Sequence, residues 1–306
     1  VQEAKLVMAD PTVSDRFAFS LDFDGQDLLI GARQNRPSAV SPSQRVAVYV
    51  YRFLGGTWTA VQKLVPPAGI NTGTQMGYAL QAENGRAVIT APSSPNRAVH
   101  LATRDGGGLW SYINLPDPTA GSGLTAGFLN FPDLDGDTVA VGITSFRPGG
   151  ASGPGMAATY FNNGGTWLLV SQIQRPDGDG APAAAVRLAN GYLLVGAPQD
   201  DASPKAFNQG SILSYSLTNG VTTPRQRLWH GVGNVPDYLG EETAISGDWA
   251  LVTAEGADMP VANGIDLGEA YFLKRNGSVW NFVQSAGSTA ETDTPQGVQL
   301  FNDLAF

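Results

Sequence analysis

Aspartates at alternating positions are the side chains of this sequence best suited to chemistry. Asp133, Asp135 and Asp137 lie within "DLDGDT", and Asp177 and Asp179 lie within "PDGD". Hard cations such as Ca²⁺ take about six to eight oxygen ligands, often from carboxylates spaced in this way. Asp-Gly and Asn-Gly pairs are also the strongest short-range signal of a hairpin turn. A two-residue turn rarely completes a calcium shell, so turn chemistry is the favoured interpretation and Ca²⁺ the alternative.

A second group of candidate binding residues lies in long segments between β-rich runs. Its acids are Asp200, Asp201, Asp258 and Asp266. Such acids can hold a cation or a cationic partner, although scattered acids are more often a solvated surface. Trp229 and His230, in "RLWHGVG", form a pair that can stack on a sugar ring. Trp229 also aligns with Val65 of an earlier, similar segment, so core packing is the alternative.

Catalytic signatures are sparse. The two histidines, His100 and His230, stand in different units, and His100 lies inside a strand pattern that favours a structural role. The chain has no nucleophile elbow, phosphate-binding loop or His-x-x-x-His pair. Paired carboxylates for glycoside hydrolysis remain an alternative, because such pairs can converge from separate loops.

Composition excludes several classes of protein. The net charge is −9, with 18 basic and 27 acidic residues, which argues against nucleic acid as a partner. No apolar run approaches the roughly 18 residues of a membrane-spanning helix, so no span is expected. The absence of cysteine excludes disulfides and thiolate sites. The chain begins at Val1 without a basic and then apolar leader, so we expect a processed product, secreted or in the cell envelope, from which a signal peptide has been removed.

A repeat organises these residues. Hairpin signals recur at glycines separated by 60, 51, 55 and 56 residues, as Asp-Gly or Asn-Gly at Gly25, Gly85, Gly136 and Gly191 and as Ser-Gly at Gly247. In most units a Gly-rich turn and a tryptophan follow, as in "GGTW" at Trp58 and Trp167. Each unit therefore predicts four short antiparallel strands, A to D, with the tryptophan packing on the adjacent unit.

Units of four strands bury both faces only by stacking on one another, so the sequence predicts an all-β propeller. Five full blades are expected, at residues 8–65, 66–116, 117–174, 175–229 and 230–286. Residues 287–306 together with 1–7 are expected to form a composite sixth blade that closes a single domain, 1–306. The long B–C and D–A connections would share one face of the propeller, which makes that face the expected functional surface.

The repeats resemble the FG-GAP repeats of integrin α-chain propellers and their bacterial relatives. The resemblance rests on phrases such as "DYLGEETAISGDWALVTA", "NGYLLVGAP" and "FDGQDLLIGA". In the calcium-binding form of that family, the A–B turn is a longer loop of alternating Asp or Asn. Here the corresponding segments, "DFDGQD" and "DLDGDT", are shortened to a hairpin, so the resemblance implies a variant without the long calcium loops.

Three hypotheses for function follow. The first is a non-enzymatic extracellular or envelope module for adhesion that binds protein or glycan through the long-loop face. The second is a propeller-type polysaccharide hydrolase or lyase that uses loop carboxylates as acid and base. The third is an architectural domain of a larger surface protein. The sequence carries no indication of oligomeric state.

Overall fold

The computed structural model describes residues 4–8, 16–33, 46–66, 75–92, 97–122, 127–146, 152–174, 185–200, 208–229, 237–257 and 268–287. This part of the chain contains twenty β-strands and no helix, so it has no helix long and apolar enough to cross a bilayer. The strands form five four-stranded sheets, and in each sheet they follow one another in chain order with antiparallel pairing. The predicted unit of strands A to D is confirmed.

Each sheet lies within one predicted repeat, except that the last strand of the fifth sheet ends at Gly287, one residue beyond the predicted boundary at 286. The first sheet contains β1 (Phe17–Phe23), β2 (Asp27–Ala32), β3 (Ala47–Leu54) and β4 (Thr57–Leu64). The second contains β5 (Ala79–Glu83), β6 (Arg86–Ala91), β7 (Ala98–Arg104) and β8 (Trp110–Asn114). The third contains β9 (Gly127–Asp135), β10 (Thr138–Phe146), β11 (Ser152–Asn163) and β12 (Thr166–Gln174). The fourth contains β13 (Val186–Ala189), β14 (Tyr192–Ala197), β15 (Ser211–Thr218) and β16 (Val221–Leu228). The fifth contains β17 (Leu239–Ser246), β18 (Trp249–Ala254), β19 (Glu269–Asn276) and β20 (Val279–Gly287).

The hairpins form where the sequence predicts them. Asn84 and Gly85 join β5 to β6 with φ values of 48° and 77°, and Asn190 and Gly191 join β13 to β14 with 52° and 74°. Positive φ at both central residues is the requirement of a type I′ turn, which Asn-Gly meets at low cost. The short A–B connections are therefore turns built from local backbone preference.

The sheets stack face to face through their first strands. β1 packs on β5, β5 on β9, β9 on β13, and β13 on β17. The last strands of neighbouring sheets also meet, as β4 does with β8 and β16 with β20. Strand A is thus innermost in every sheet, and the sheets are the blades of a β-propeller, numbered 1 to 5 in chain order.

Tryptophans in strand D pack on the preceding blade. Trp110 of blade 2 is buried against Leu29 and Val48 of blade 1, and Trp280 of blade 5 is buried against Ile212 of blade 4. A tryptophan buries about 150–250 Å², which makes each ring a large apolar contribution to the joint between blades. The predicted packing is confirmed for Trp110 and Trp280, whereas Trp58 and Trp167 of the "GGTW" phrases are half-buried.

Glycine pairs bring adjacent blades into backbone contact. A Cβ added to Gly31 in strand B of blade 1 would lie 2.2 Å from the carbonyl oxygen of Gly77 in blade 2. The same relation holds between Gly196 of blade 4 and Gly240 of blade 5, at 2.1 Å. Real Cβ atoms do not approach oxygen so closely, so the close contact of these blades depends on glycine.

Residues 4–8 lie where the end of a preceding blade belongs. Met8 is buried against blade 1, and the Tyr51 hydroxyl of blade 1 donates to the Val7 carbonyl (2.8 Å). Tyr160 of blade 3 makes the same contact with the Pro116 carbonyl at the end of blade 2 (2.8 Å). Residues 288–306, the other part of the composite sixth blade, lie outside the described residues. The sixth blade and the single domain 1–306 stay predictions.

Candidate binding surface

The two ends of the blades differ in the length of their connections. At one end, A–B and C–D hairpins such as Asn84–Gly85 and Gly55–Gly56 are short. At the other end, 33–46 joins β2 to β3, 65–78 joins β4 to β5, and 198–210 joins β14 to β15. We call this second end the long-loop face, defined by the strand ends that border these connections. It is the face on which the sequence predicts binding.

Asp200 lies at this face with its carboxylate already bonded. The side chain is buried and accepts hydrogen bonds from Arg227 Nε (2.9 Å) and Nη2 (2.6 Å). The Ser211 hydroxyl also donates to it. The pair ties the end of strand B to strands C and D of blade 4. Ligand binding by Asp200 therefore requires a ligand that competes with an internal ion pair.

Trp229 follows the last strand of blade 4 and presents its ring to solvent. The residue is 47% exposed, and the Arg227 guanidinium carbon lies 5.9 Å from the ring centroid. Val65, with which Trp229 aligns, is itself 38% exposed, so this repeat position is not a core position in either blade. Trp229 therefore has an accessible aromatic face at the edge of a long connection.

Several predicted residues belong to connections that the structure does not describe. These residues are His230, Asp201, Asp258, Asp266, Asp177 and Asp179. Their roles in binding ligand or metal stay predictions.

The aspartates of "DLDGDT" have different partners. Asp133 is buried and accepts a hydrogen bond from the Leu188 N–H of the next blade (2.5 Å). Burial raises the pKa of Asp133 to about 6, although the nearby charge of Arg187 opposes the shift. Asp137 is exposed and pairs with Arg86 (3.0 Å), while Asp135 is half-buried. No group of three or more His, Cys, Asp or Glu side chains converges on a metal-sized site among the described residues.

The segment "DFDGQD" uses its acids in turn chemistry. Asp24 accepts hydrogen bonds from the Gln26 N–H (2.9 Å) and the Asp27 N–H (2.6 Å) through one oxygen. Its other oxygen accepts one from the Gly85 N–H of blade 2 (3.0 Å). Asp22 accepts from the Ala82 N–H (2.6 Å), also in blade 2. This shortened turn therefore also binds blade 1 to blade 2.

Inner-strand charges meet around Arg187. Two opposing effects act on the pKa of three carboxyls, those of Asp22, Asp133 and Glu242: burial acts to raise it, and the positive charge of Arg187 acts to lower it. For each of the three, burial outweighs this effect and the pKa stays above its ordinary value. The carboxyls belong to blades 1, 3 and 5, and Arg187 belongs to blade 4. One arginine thus partly compensates buried acids on the inner strands of three blades.

His100 has the structural role that its strand position predicts. Burial lowers its pKa to about 4, which favours the neutral ring. Its Nδ1 lies 2.7 Å from the Asn114 side-chain oxygen of the neighbouring strand, and its ring contacts Tyr112 at 5.1 Å between centroids. A neutral imidazole with these partners packs within blade 2.

A stack of one arginine and two aromatic rings stands at the long-loop face between blades 1 and 2. The Arg33 guanidinium carbon lies 3.9 Å from the Phe19 ring centroid and 4.6 Å from that of Tyr78. The two rings contact each other at 5.3 Å between centroids. Burial lowers the pKa of Arg33 and the charge of Arg16 acts in the same direction, while Tyr78, whose side chain hydrogen-bonds to Arg33, opposes the shift. We call Phe19, Arg33 and Tyr78 the Arg33 stack.

Sequence reasoning missed the Arg33 stack, although a signal for it exists. In blades 2 and 4 the alanine that ends strand B is followed by proline, as at Pro92 and Pro198. Blade 1 has Arg33 at that position. A long cationic side chain at the position that is proline in blades 2 and 4 is the sequence signal at this joint.

Comparisons with known proteins agree with the repeat. A family model described as the FG-GAP repeat matches residues 1–51, which confirms the resemblance stated above. No curated protein matches the chain. Among solved structures, the periplasmic gluconolactonase of Pseudomonas aeruginosa is similar, with 12% identity and a TM-score of 0.41. That similarity covers 87% of this chain and 84% of the gluconolactonase chain.

Proposed function

We propose that this chain is a non-enzymatic binding module that engages carbohydrate or protein through the long-loop face. The observation that carries the proposal is Trp229, whose half-exposed ring stands at the start of the long connection from β16 to β17 with an arginine beside it. Tryptophan and arginine are enriched among the residues that dominate binding energy. The packed blades hold such a group in place, which lowers the entropic cost of binding.

Bonding of the described acids supports binding over catalysis. Asp22 and Asp133 accept backbone N–H groups of the next blade, and Asp200 is paired with Arg227. A general acid or base must exchange protons with a substrate, and carboxylates already bonded within or between blades are poorly placed for that work. These acids therefore have a structural task that accounts for their burial.

We propose a location outside the cytoplasm, in secreted form or at the cell envelope. The FG-GAP match at residues 1–51 supports this location, because the integrin propellers that share the repeat act at the cell surface. An adhesion role fits the same resemblance.

The test is a binding screen of the purified chain against glycans and envelope proteins, repeated with two tryptophan variants. Trp229→Ala removes the exposed ring of the long-loop face. Trp249→Ala is the matched control, because Trp249 is 39% exposed beside a cation, with Lys274 Nζ 4.9 Å from its ring, at the hairpin end of blade 5. We expect Trp229→Ala to weaken binding by about tenfold or more and Trp249→Ala to leave it unchanged.

Equal loss in both variants, or loss in Trp249→Ala alone, would contradict a site on the long-loop face. The screen is run with calcium and with chelator, because metal binding at Asp133, Asp135, Asp137, Asp177 and Asp179 stays a prediction. Release of reducing ends from bound polysaccharide is measured in parallel. Continuous release would replace the binding module by the hydrolase alternative.

A further inference from the structure

The Arg33 stack is held in a fixed position by two blades. Phe19 belongs to the inner strand of blade 1, Arg33 follows strand B of the same blade, and Tyr78 directly precedes the inner strand of blade 2. The left-handed residues Arg16 (φ 47°) and Gln75 (φ 49°) stand three positions before Phe19 and Tyr78, so the rings occupy equivalent positions in adjacent blades. A guanidinium that contacts two adjoining rings gains cation–π energy and loses rotational freedom.

The charge of Arg33 is not compensated by an acid in the described part of the chain. Most arginines there have a carboxylate partner, as in the pairs Arg52–Asp27, Arg86–Asp137, Arg97–Asp117, Arg104–Asp24, Arg227–Asp200 and Arg275–Asp248. Arg33 has no such pair among the described residues, and its Nε is buried without a hydrogen-bond acceptor there. Arg16 adds a second positive charge nearby. Two positive charges therefore lie close together at this joint of blades 1 and 2.

The geometry of the stack selects the ligand. A guanidinium held flat presents its N–H groups as a planar fork, which matches the two oxygens of a carboxylate. The guanidinium covers one face of Phe19, and the residue is 41% exposed, so apolar ring surface borders this fork. An acidic sugar satisfies both features, because its carboxylate and the C–H face of its ring are joined in one unit.

We propose that the Arg33 stack binds the carboxylate of a hexuronic acid residue in an acidic oligosaccharide. The inference rests on the proposed function, since it assigns a ligand class to the same long-loop face. Arg33 binds the carboxylate, the exposed part of Phe19 contacts the sugar ring, Tyr78 contacts the guanidinium next to Phe19, and Arg16 adds long-range attraction.

The experiment measures calorimetric affinity for tetragalacturonate and for the neutral tetramer of galactose with the same linkage. Arg33→Gln is expected to weaken binding of tetragalacturonate by at least about tenfold, the usual effect of losing a charge-assisted bidentate hydrogen bond. Arg33→Lys is expected to lose most of the same affinity, because lysine keeps the charge but not the fork. Arg86→Gln, at the hairpin end of blade 2, is the matched control and is expected to bind as the unchanged protein does.

Several outcomes would overturn the inference. If Arg33→Lys binds tetragalacturonate as tightly as the unchanged protein does, Arg33 acts only as a point charge. If inorganic sulfate competes as well as monomeric galacturonate, the stack is a general anion site. Unchanged affinity for tetragalacturonate in a folded Arg33→Gln variant would mean that the Arg33 stack only joins blades 1 and 2 and does not bind the ligand. Equal affinity for the acidic and neutral tetramers would exclude carboxylate recognition. If neither tetramer binds while Trp229-dependent ligands are found in the screen, the proposed function stands and the acidic-sugar site fails. Thermal unfolding of each variant identifies misfolding, and Phe19→Leu then tests the ring contact without loss of charge.

Discussion

Substitution of Asp27 by asparagine is the sharpest test of how blades 1 and 2 are joined. The Asp27 side chain is 0% exposed and accepts hydrogen bonds from Arg52 Nε (2.6 Å) and Nη2 (2.6 Å). From blade 2 it accepts bonds from Trp110 Nε1 (2.8 Å) and Arg104 Nη1 (3.1 Å). Burial raises the pKa of Asp27, but the bonds from Arg52, Trp110 and Arg104 outweigh it and lower the pKa below its ordinary value. The network therefore requires the ionised carboxylate.

Asp27→Asn keeps the shape of the side chain and removes its charge. Arg52 and Arg104, whose side chains are 17% and 15% exposed, then lose their common counter-charge, and the amide NH₂ faces donors. Loss of one partner of a buried ion pair costs about 3–5 kcal/mol. The matched control is Asp248→Asn, because Asp248 is 56% exposed in its pair with Arg275. An exposed pair contributes about 0–1 kcal/mol.

The assay is urea denaturation at pH 7, with the free energy of unfolding taken from the midpoint and the slope. We expect a loss of about 3–5 kcal/mol for Asp27→Asn and at most about 1 kcal/mol for Asp248→Asn, with unchanged slopes. Equal and small losses in the two variants would refute the reasoning, because they would mean that the network contributes no more than an exposed ion pair.

Three further predictions concern the joints between blades. Trp110→Phe is expected to lose about 1 kcal/mol more unfolding free energy than Trp280→Phe. Of these two indole N–H groups, only that of Trp110 has a hydrogen-bond acceptor in the described part of the chain. Equal losses in calorimetry would contradict this reasoning. The pKa of Asp133 is raised to about 6, so the protonated carboxyl favours the folded state. This contribution to the free energy of unfolding is complete below pH 4 and is lost as pH rises through about 6, by up to about 3 kcal/mol. The difference in stability between the unchanged protein and Asp133→Asn must therefore change over that range. Gly196→Ala is expected to unfold at a much lower temperature or to be insoluble on expression, since its Cβ would lie 2.1 Å from a carbonyl oxygen. Gly106→Ala, with open space at its Cβ, is expected to lose about 1 kcal/mol of unfolding free energy or less. A small effect at Gly196 would contradict the close contact of blades 4 and 5.

The sequence predicts the blade because the signals for it are local. Hairpins such as Asn84–Gly85 depend on the backbone freedom of two adjacent residues, and their recurrence sets the strand order without knowledge of tertiary contacts. Trp110 and Trp280 were also predictable, because a repeated large apolar residue must be buried against a repeated neighbour.

Side-chain partnerships between blades were not predictable in the same way. Asp27 and Arg104 are 77 positions apart, and nothing in "DFDGQD" indicates that one acid serves two arginines and an indole. The Arg33 stack joins Phe19 and Tyr78 from different repeats, so only the replacement of a proline signals it. The sequence identifies acids in long connections as candidate ligands from their residue type alone. Whether such an acid is free to bind depends on its burial and partners, and Asp200 is buried in an ion pair with Arg227.

The most direct test of the account is hydrogen–deuterium exchange of the chain with and without the tightest ligand from the binding screen. We predict slower exchange in peptides that cover the long-loop face, around 16–19, 32–33, 75–78 and 227–229. We predict no change at the hairpin end, around 84–85, 190–191 and 247–249. Protection confined to the hairpin end would contradict binding through the long-loop face.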